Sequence, residues 1–592
     1  MIWKICFFLS LLILCIAIIW AVRLIRKADI KSSLTPFQMI FAGFFAAVFA
    51  GQIPIIYQQV GRESVLKMLL LDAVQTIQVF TANVGTEIIP EYITKEVTEI
   101  GGIYSVYMSI LFVAAPLLTF GFVISLFRSA LMRFLFRFYY FGDLYVFSVL
   151  SEKSLTLARD VKKNHPRAVI VFTQTGGAEE EVPELYAEAK RMHALLFAND
   201  IVSSDFAGHS AKAKLTLILI GENSDTNLVQ ALKVIAAYQN RPNTEVFVFS
   251  SGTEGELLLA GAMKGSVKVR RVDEDRSLVY RYLYDRGEEI YAAALKQADG
   301  TKAIHAVVTG LGKYGTEMVK ALSWYCQMDG YAVIIDAFDA DPLAEEKFAA
   351  RCPELMSEEY NGVVIPGESR YTIRIHSGVD VNTRTFADEI TRMRDITFVF
   401  VCLGSDAVNL AQSANLRMLC ERAGCKPLIR TVLYSTEVKD ALQGITNYRG
   451  QAYDIEAIGD FETCYSEEVL MGGEMEALAL KRHLKYGDED SFWQYEYNYR
   501  SSMASAIHEK ARIFCGIPGA GKEVLTQQER DAVEPVEHRR WNAYMRSEGY
   551  IYSGSPDRSS RNDLAKMHHD LVKFDLLTEE EKRKDSGTFR ES

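Results

Sequence analysis

The stretch IHAVVTGLGKYG, residues 304–315, decides the fold class of this chain. Its first six residues are rich in β-branched side chains, which is typical of a buried strand. A glycine-rich turn follows at once, and the apolar periodicity of residues 316–326 predicts a helix. The next apolar run, residues 331–335, ends at Asp336. Strand, turn, helix and strand in this order predict an α/β fold with a doubly wound parallel sheet.

The glycine spacing predicts the chemistry of this turn. Gly310 permits a tight turn, Gly312 lets the backbone approach a pyrophosphate, and Gly315 lets the helix pack closely on the strand. Free N–H groups at the start of the helix attract phosphate. The predicted cofactor contacts are Gly310, Gly312, Lys313, Tyr314, Gly315, Asp336, Asp339, Asp406 and Asn409.

Two acidic residues are candidates for the ribose contact. Asp336 is the first choice and Asp339 the second, because an acidic side chain at the end of the second strand accepts hydrogen bonds from ribose hydroxyls. The same carboxylate would repel the additional phosphate of NADP, so NAD-like ligands are favoured. The alternative is a fold that keeps its glycines and binds nothing.

The pattern of this unit occurs twice. A strand at 396–403 runs into GSDAVN (404–409), and a strand at 215–220 runs into GENSDTN (221–227). The repeat predicts two copies of one α/β domain, a first copy at 143–300 and a second copy at 301–468. The first copy has LSEKS (150–154) where the second has its glycines, so we expect it to be structural or to bind a different ligand.

The first 135 residues are far more apolar than the rest and predict a membrane region. Spans are predicted at about 5–24, 36–57 and 103–127. Basic residues follow the first and third spans, whereas the loop at 58–102 carries three basic and six acidic residues. The positive-inside rule then predicts a multi-pass protein of the cell (inner or plasma) membrane, with its N-terminus outside and its C-terminal domains in the cytoplasm.

The loop between the second and third spans predicts a pore loop at 63–86. An amphipathic segment at 65–80 precedes a small-residue turn, the order that re-entrant channel segments use. The pore candidates are Thr81, Ala82, Asn83, Val84 and Gly85. The alternative is an interfacial helix on the outer leaflet. Because one chain cannot enclose a path, a pore predicts a homo-oligomer, and we expect a tetramer.

The composition and the cysteine spacing argue against nucleic-acid binding, disulfides and a metal site. The net charge of −11 argues against a nucleic-acid partner, since phosphate binding needs a surplus of Lys and Arg. The nine cysteines are odd in number and lie at no zinc-ligand spacing, so neither disulfides nor a metal site is expected.

Residues 469–592 lose the strand–helix alternation and predict a small, mostly α module. They contain HRRWNAYMRSEGYIY (538–552), KMHHD (566–570) and LLTEEEKRKD (576–585). In these motifs the module resembles the RyR domain, a repeat named for ryanodine receptors and also found in bacterial proteins. The resemblance implies that it reads a small ligand such as a nucleotide derivative; the alternative is that its aromatic residues form a core. The predicted ligand contacts are Trp541, Arg546, Tyr550, Tyr552, Lys566 and His568.

The two α/β copies resemble a second family. The strand–GLGKYG–helix–strand–Asp unit followed by strand–GSDAVNL–helix is similar to the TrkA-N, or RCK, nucleotide-binding domain. That family is Rossmann-like, occurs in tandem and regulates potassium channels and transporters from the cytoplasm. The resemblance implies NAD, or a related adenine nucleotide or ADP-ribose derivative, as the ligand.

Together these features predict a nucleotide-sensing, ligand-gated membrane channel or membrane effector rather than an enzyme. The RyR-like motifs also suggest a role in bacterial antiphage defence, in which a nucleotide signal would depolarise the cell. Two alternatives remain: a regulatory NAD-binding subunit of a separate cation transporter, and a membrane-tethered NAD-dependent oxidoreductase. The oxidoreductase would need a substrate domain with a proton donor, which the chain does not reveal.

Overall fold

The computed structural model describes residues 2–26, 36–60, 64–81, 101–126, 142–206, 209–260, 262–356, 359–360, 363–364, 371–443 and 447–586. The chain divides into two compact units, Met1–Phe141 and Gly142–Ser592.

The described part of the N-terminal unit is helical. Its helices are α1 (Ile2–Arg26), α2 (Pro36–Val60), α3 (Val65–Phe80) and α4 (Gly101–Leu126). Two of these helices contain segments long and apolar enough to cross a membrane, Ile40–Tyr57 and Gly102–Phe120, and α1 contains a shorter apolar segment, Lys4–Ile19. The predicted spans at 5–24 and 36–57 lie within α1 and α2, and the described part of the third lies within α4.

Small residues bring the helices of this unit together. A side chain added at Gly43 of α2 would overlap the side chain of Ala17 on α1, and one at Gly51 would lie 2.8 Å from the sulfur of Met108 on α4. Close backbone approach through small residues is the usual way in which helices pack in lipid.

Helix α3 is amphipathic, as the sequence predicts. Its buried residues include Asp72, Thr76 and Phe80, whereas Leu66, Leu70 and other aliphatic side chains of the opposite face are exposed. It packs against α2 and α4. Of the pore candidates, Thr81 caps its C-terminal end; Ala82, Asn83, Val84 and Gly85 lie outside the described residues.

The second unit contains two parallel sheets. The first sheet has the strand order β3-β2-β1-β4-β5-β6. Its strands are β1 (Leu144–Phe147), β2 (Val169–Phe172), β3 (Leu195–Leu196), β4 (Leu215–Leu219), β5 (Thr244–Phe249) and β6 (Val267–Val272). The helices between and after them are α5 (Glu152–Asn164), α6 (Ala178–Glu181), α7 (Pro183–Arg191), α8 (Ser224–Tyr238), α9 (Thr253–Ala260), α10 (Glu274–Arg286) and α11 (Glu288–Ala292).

The second sheet has the order β12-β9-β8-β13-β14-β17, with β7 antiparallel to β8. Its strands are β7 (Leu295–Lys296), β8 (Lys302–Thr309), β9 (Tyr331–Asp339), β12 (Tyr371–Ser377), β13 (Phe398–Val401), β14 (Leu428–Val432) and β17 (Ile455–Ile458). Its helices are α12 (Lys313–Tyr325), α13 (Ala344–Arg351), α14 (Arg384–Arg392), α15 (Asp406–Ala423), α16 (Thr436–Gln443) and α17 (Phe461–Cys464). Two short hairpins pair β10 (Glu359–Tyr360) with β11 (Val363–Val364) and β15 (Asn447–Tyr448) with β16 (Gln451–Ala452).

The two sheets repeat one topology. When the six parallel strands of each sheet are numbered along the chain, both sheets have the spatial order 3-2-1-4-5-6. The shared order supports the predicted internal repeat. Because β7 pairs with β8, the second sheet begins a few residues before 301.

The C-terminal part is mostly helical. It contains α18 (Glu467–Leu470), α19 (Gly473–His483), α20 (Glu489–Gln494), α21 (Glu496–Phe514), α22 (Gln527–Ser547) and α23 (Glu579–Ser586), with the short parallel pair β18 (Ile551–Tyr552) and β19 (Met567–His568). Apolar side chains of both sheets and of these helices share one buried core.

Candidate functional site

The three glycines of the turn after β8 have the three geometries that the sequence predicts. Gly310 has φ +89°, and a Cβ there would lie 2.7 Å from the carbonyl oxygen of Cys402. A Cβ at Gly315 would overlap the carbonyl oxygen of Gly310, so only glycine allows this contact between helix and turn. A Cβ at Gly312 would meet nothing within 4 Å. Gly310 and Gly315 therefore shape the turn, and Gly312 faces open space.

The start of α12 is open to a ligand. Its N-cap, Gly312, makes no side-chain hydrogen bond to the first turn. The equivalent helix of the first sheet, α5, is closed by a capping box in which Ser151 and Ser154 bond each other's backbone N–H. First-turn N–H groups have no acceptor within a helix, so α12 offers them to an anion, whereas α5 satisfies two of its donors with its own hydroxyls.

A cavity of about 860 Å³ lies at the carboxyl edge of the second sheet, and we call it the cleft. It adjoins β8 and β13, where the strand order reverses, which is the usual ligand position in such sheets. Of the predicted cofactor contacts, Gly310, Gly312, Lys313, Tyr314, Asp339 and Asn409 line it.

Asp336 does not line the cleft, so the geometry does not support the first choice for the ribose contact. Its side chain is fully buried within β9. Both carboxylate oxygens are taken by side chains of the sheet: Oδ2 lies 2.7 Å from His305 and from Arg374, and Oδ1 lies 2.7 Å from His376. Burial alone would raise the pKa of Asp336, but these partners hold it well below its usual range.

Asp339 occupies the place expected for Asp336, because β9 continues four residues beyond the predicted end of the strand. Its carboxylate accepts hydrogen bonds from the backbone N–H of Leu311 (2.6 Å) and of Asp341 (2.8 Å). It therefore ties the glycine turn to the end of β9 and places a negative charge at the edge of the cleft. The second choice for the ribose contact is the one that the geometry supports.

Asp406 and Asn409 hold loops in place. The Asp406 carboxylate accepts hydrogen bonds from the backbone N–H of Tyr434 and Ser435, at 2.9 and 2.8 Å. Asn409 accepts from Leu403 N–H and donates to the Val432 carbonyl at 2.8 Å. In the first sheet, Asn227 makes the same pair of links, to Gly221 and Phe249. The repeated asparagine is thus a structural feature of both copies, and Asn409 also borders the cleft.

Residues of the first copy also line the cleft, which the sequence did not predict. Lys153 at the start of α5 donates to Glu274 at 3.1 Å, and Tyr465 donates its hydroxyl to the same carboxylate at 2.6 Å. Asp275, in the first turn of α10, also lines the cleft. These residues are far from the glycines in sequence, and no motif links them. Only the packing of the two sheets shows that the first copy takes part in the site.

Because Asp275 lines the cleft, we expect ligand binding there to depend on pH. Burial raises the pKa of its carboxyl to about 7, Asp273 and Glu274 act in the same direction, and Lys313 opposes them. As the pH rises from 6 to 8, Asp275 gains a negative charge in a cleft that would hold a pyrophosphate. We expect the affinity for NAD, measured by calorimetry on the full chain, to fall about fivefold, or about 1 kcal/mol, a size in keeping with two charges some 10 Å apart at an effective dielectric near 20 after screening.

The control is Asp275→Asn, which should bind NAD equally at both pH values. An unchanged pH dependence in this variant would assign the effect to another group. The neighbouring charged groups are Asp273, Glu274, Lys313 and Glu317.

A second cavity, of about 450 Å³, lies in the C-terminal module. Trp541 and His568 line it, with their rings in edge-to-face contact at 4.9 Å. Burial, with Arg561 next, lowers the pKa of His568 to about 2, so its ring is neutral. Basic side chains that are not among the predicted contacts also line the cavity: Arg482, Lys485, Arg540, Arg558, Arg561 and Lys584.

The other four predicted contacts of this module do not line the cavity. Arg546 is buried 3.8 Å from Glu354, and Lys566 donates to the carbonyl of Glu548 at 2.8 Å. Tyr550 is buried against the ring of Tyr497, and the backbone of Tyr552 is bound to Glu354. Arg546 and Tyr552 thus contact the second α/β domain, whereas the contacts of Lys566 and Tyr550 lie within the module. Arg482 and Lys485 were missed because they precede the motif by more than fifty residues and reach the cavity through helix packing.

His568, His569 and Asp570 have donor atoms within 4.8 Å of one another, the spacing of a candidate metal site. However, the two imidazole rings are stacked nearly parallel, with 7° between their planes. Lone pairs of imidazole lie in the ring plane, so two stacked rings do not direct their nitrogens at one ion. The arrangement therefore does not fit a metal.

A buried ionic network joins the cleft helix to the C-terminal module. Arg276 of α10 lies 2.9 Å from Glu317 of α12 and 3.0 Å from Glu548, the residue after α22. Lys320 of α12 and Arg500 of α21 complete the network around Glu548, at 3.7 and 3.8 Å. Helix α12 thus begins at the cleft and is fixed, one turn later, to both neighbouring domains.

Searches against protein-family models and against curated proteins found no match to this chain. The two family resemblances therefore remain predictions from the motifs.

Proposed function

We propose that this protein is a nucleotide-sensing membrane protein in which an NAD-like ligand, bound in the cleft, controls ion conduction through a homo-oligomer of the N-terminal helices. The observation that carries the proposal is the open, uncapped start of α12 beside Gly312 at the edge of an 860 Å³ cleft. The RCK-like and RyR-like resemblances motivate the sensing role and the link to antiphage defence.

The features of the cleft fit an NAD-like ligand or ADP-ribose. The strand order 3-2-1-4-5-6 is that of the Rossmann dinucleotide-binding fold, in which the pyrophosphate lies at the first helix. Asp339 stands where the ribose hydroxyls would lie and would repel a 2′-phosphate. Tyr314, Tyr434 and Phe461 supply aromatic surface for a base. The cleft volume lies within the ~300–1,000 Å³ typical of small-molecule sites.

The N-terminal unit fits a membrane-embedded bundle. Aliphatic side chains of α1, α3 and α4 are exposed on its surface, as suits contact with lipid or with further copies. We propose the orientation given by the basic residues, with the second unit in the cytoplasm. A closed tetramer would bring the segment 81–85 of each chain near a common axis.

The C-terminal cavity is proposed as a second ligand site of the same sensor. Trp541 offers a ring for stacking, and Arg558 and Arg561 offer charge-assisted bonds to phosphate. The ionic network around Glu548 supplies a physical connection between this module and α12.

The oxidoreductase alternative would need a proton donor in the cleft. Burial raises the pKa values of Tyr314, Tyr434 and Cys402, which makes these three weak donors near neutral pH, whereas the pKa of Asp275, raised to about 7, suits that role. If the protein is instead a regulatory subunit of a separate transporter, its N-terminal helices would serve only to anchor it in the membrane.

Nucleotide-dependent ion flux through liposomes that contain the full chain tests the proposal. Flux that rises on addition of NAD supports a channel. Binding without flux, together with co-purification of a second membrane protein, supports the regulatory subunit, and NADH formation supports the oxidoreductase.

A further inference from the structure

Two polar side chains are buried in the N-terminal bundle without hydrogen-bond partners. Both carboxylate oxygens of Asp72 on α3, and both amide atoms of Gln52 on α2, lack a partner among the residues that the structure describes. Asp72 is 0% and Gln52 1% exposed. An unpaired buried carboxylate costs several kcal/mol or more, so this arrangement calls for a counter-charge.

The two side chains lie at the same level of the bundle. Phe80 of α3 contacts Phe41 and Phe45 of α2, with ring centroids 5.2 and 5.3 Å apart. The two helices are joined by four residues, 61–64, and pack against each other, so they run antiparallel. Asp72 is eight residues before Phe80, which places it opposite residues 49–53 of α2. That segment includes Gln52.

Several hydroxyl groups of the helical bundle already donate their hydrogens to backbone carbonyls. Thr76 donates its hydroxyl to the Asp72 carbonyl at 2.8 Å, and Tyr104 donates to the Gly51 carbonyl at 2.6 Å. Ser10 donates to the Ala47 carbonyl at 2.5 Å. These hydroxyl groups therefore present lone pairs rather than hydrogens to further partners. In the described part of the chain, no ion pair joins Asp72 to a basic side chain.

We propose that Asp72 and Gln52 form a binding site for a monovalent cation inside the helical bundle. A carboxylate oxygen and an amide oxygen are hard ligands of the kind that alkali and alkaline-earth cations prefer. One carboxylate among neutral oxygens balances a single positive charge, whereas divalent sites usually gather several carboxylates. Ionisable groups buried within membrane helices mark ion and proton pathways, and here the buried acid has an amide at its own level.

This inference rests on the proposed function in that it names the ion class that the membrane helices would handle, but ion binding needs no nucleotide. The test uses the full chain in mild detergent, in N-methylglucamine chloride so that no small cation is present. Equilibrium dialysis with ²²Na⁺ and with ⁸⁶Rb⁺ measures the ions bound. We expect saturable binding of one ion per chain.

Three variants distinguish a loss of the cation site from a loss of folding. Asp72→Asn keeps the shape and removes the charge, and should weaken binding at least tenfold; Gln52→Leu should weaken it several-fold. Gln78→Leu, a half-buried glutamine of α3, is the matched control and should bind like the wild type. Unchanged NAD affinity in each variant would show that the second unit is intact.

Two results would overturn the site: no monovalent cation bound by the wild type, or equal binding by Asp72→Asn. The first result would mean that the Asp72 carboxyl is protonated and neutral, or that another segment supplies its counter-charge. If Asp72→Asn does not fold, the wild-type stoichiometry and Gln52→Leu decide. Cation binding without nucleotide binding would leave this site standing and remove the proposed function.

Discussion

Replacing Gly312 with valine is expected to lower the affinity for NAD at least ~100-fold, or about 2.7 kcal/mol, while the protein still folds. Gly312 has φ −65°, which any residue adopts, and its Cβ position is surrounded by open space. A side chain there would occupy the space in which a pyrophosphate meets the N–H groups of α12. Calorimetry with NAD on the full chain measures the loss, and an unchanged melting temperature confirms the fold.

The matched control is Ser151→Ala in the first copy. It removes the N-cap of α5 and costs about 1 kcal/mol of stability, but it should leave NAD affinity unchanged. Wild-type affinity in Gly312→Val would exclude the cleft as the nucleotide site. A loss in Ser151→Ala as large as that in Gly312→Val would instead place the ligand in the first copy.

The largest loss of stability is expected on replacing Glu548 with glutamine. Burial alone would raise the pKa of Glu548, but Arg276, Lys320 and Arg500 hold it well below its usual range, so the group is ionised and neutralises a buried positive cluster. Removing one partner of a buried ion pair costs about 3–5 kcal/mol, because the remaining charges stay buried without compensation. Chemical denaturation of the full chain, followed by tryptophan fluorescence, measures the loss.

Glu579→Gln provides the comparison, since Glu579 pairs with Lys582 on an exposed surface. That change should alter stability by less than about 0.5 kcal/mol. Wild-type stability in Glu548→Gln would show that the network contributes nothing. Because the folded-state pKa of Glu548 is depressed, its contribution should be present above about pH 4.3 and lost as the pH falls below that value.

The parts of the fold that could be predicted from sequence are those with local signals. The β-branched runs and the glycine spacing predicted the parallel sheet, the turn and the roles of Gly310 and Gly315. The amphipathic period of residues 65–80 predicted α3. In each case the residues that carry the signal are neighbours in the chain.

The errors came from contacts between distant segments. Asp336 ends an apolar run, but β9 pairs with β12 through Asp339, and His305, Arg374 and His376 then enclose the Asp336 carboxylate. Likewise Lys153 and Asp275 reach the cleft only through packing of domains, and Arg482 reaches the C-terminal cavity only through packing of helices. The register between paired strands and the docking of domains cannot be predicted from the local periodicity of the sequence.

The most direct test of nucleotide-controlled conduction is ion flux from liposomes that carry the full chain and a membrane-potential dye. NAD is added on both sides, so that both orientations respond. We predict that NAD increases flux through the wild type and through Ser151→Ala and has no effect on Gly312→Val. Flux that does not depend on the nucleotide, or an equal response from Gly312→Val, would contradict control of the membrane helices by the cleft.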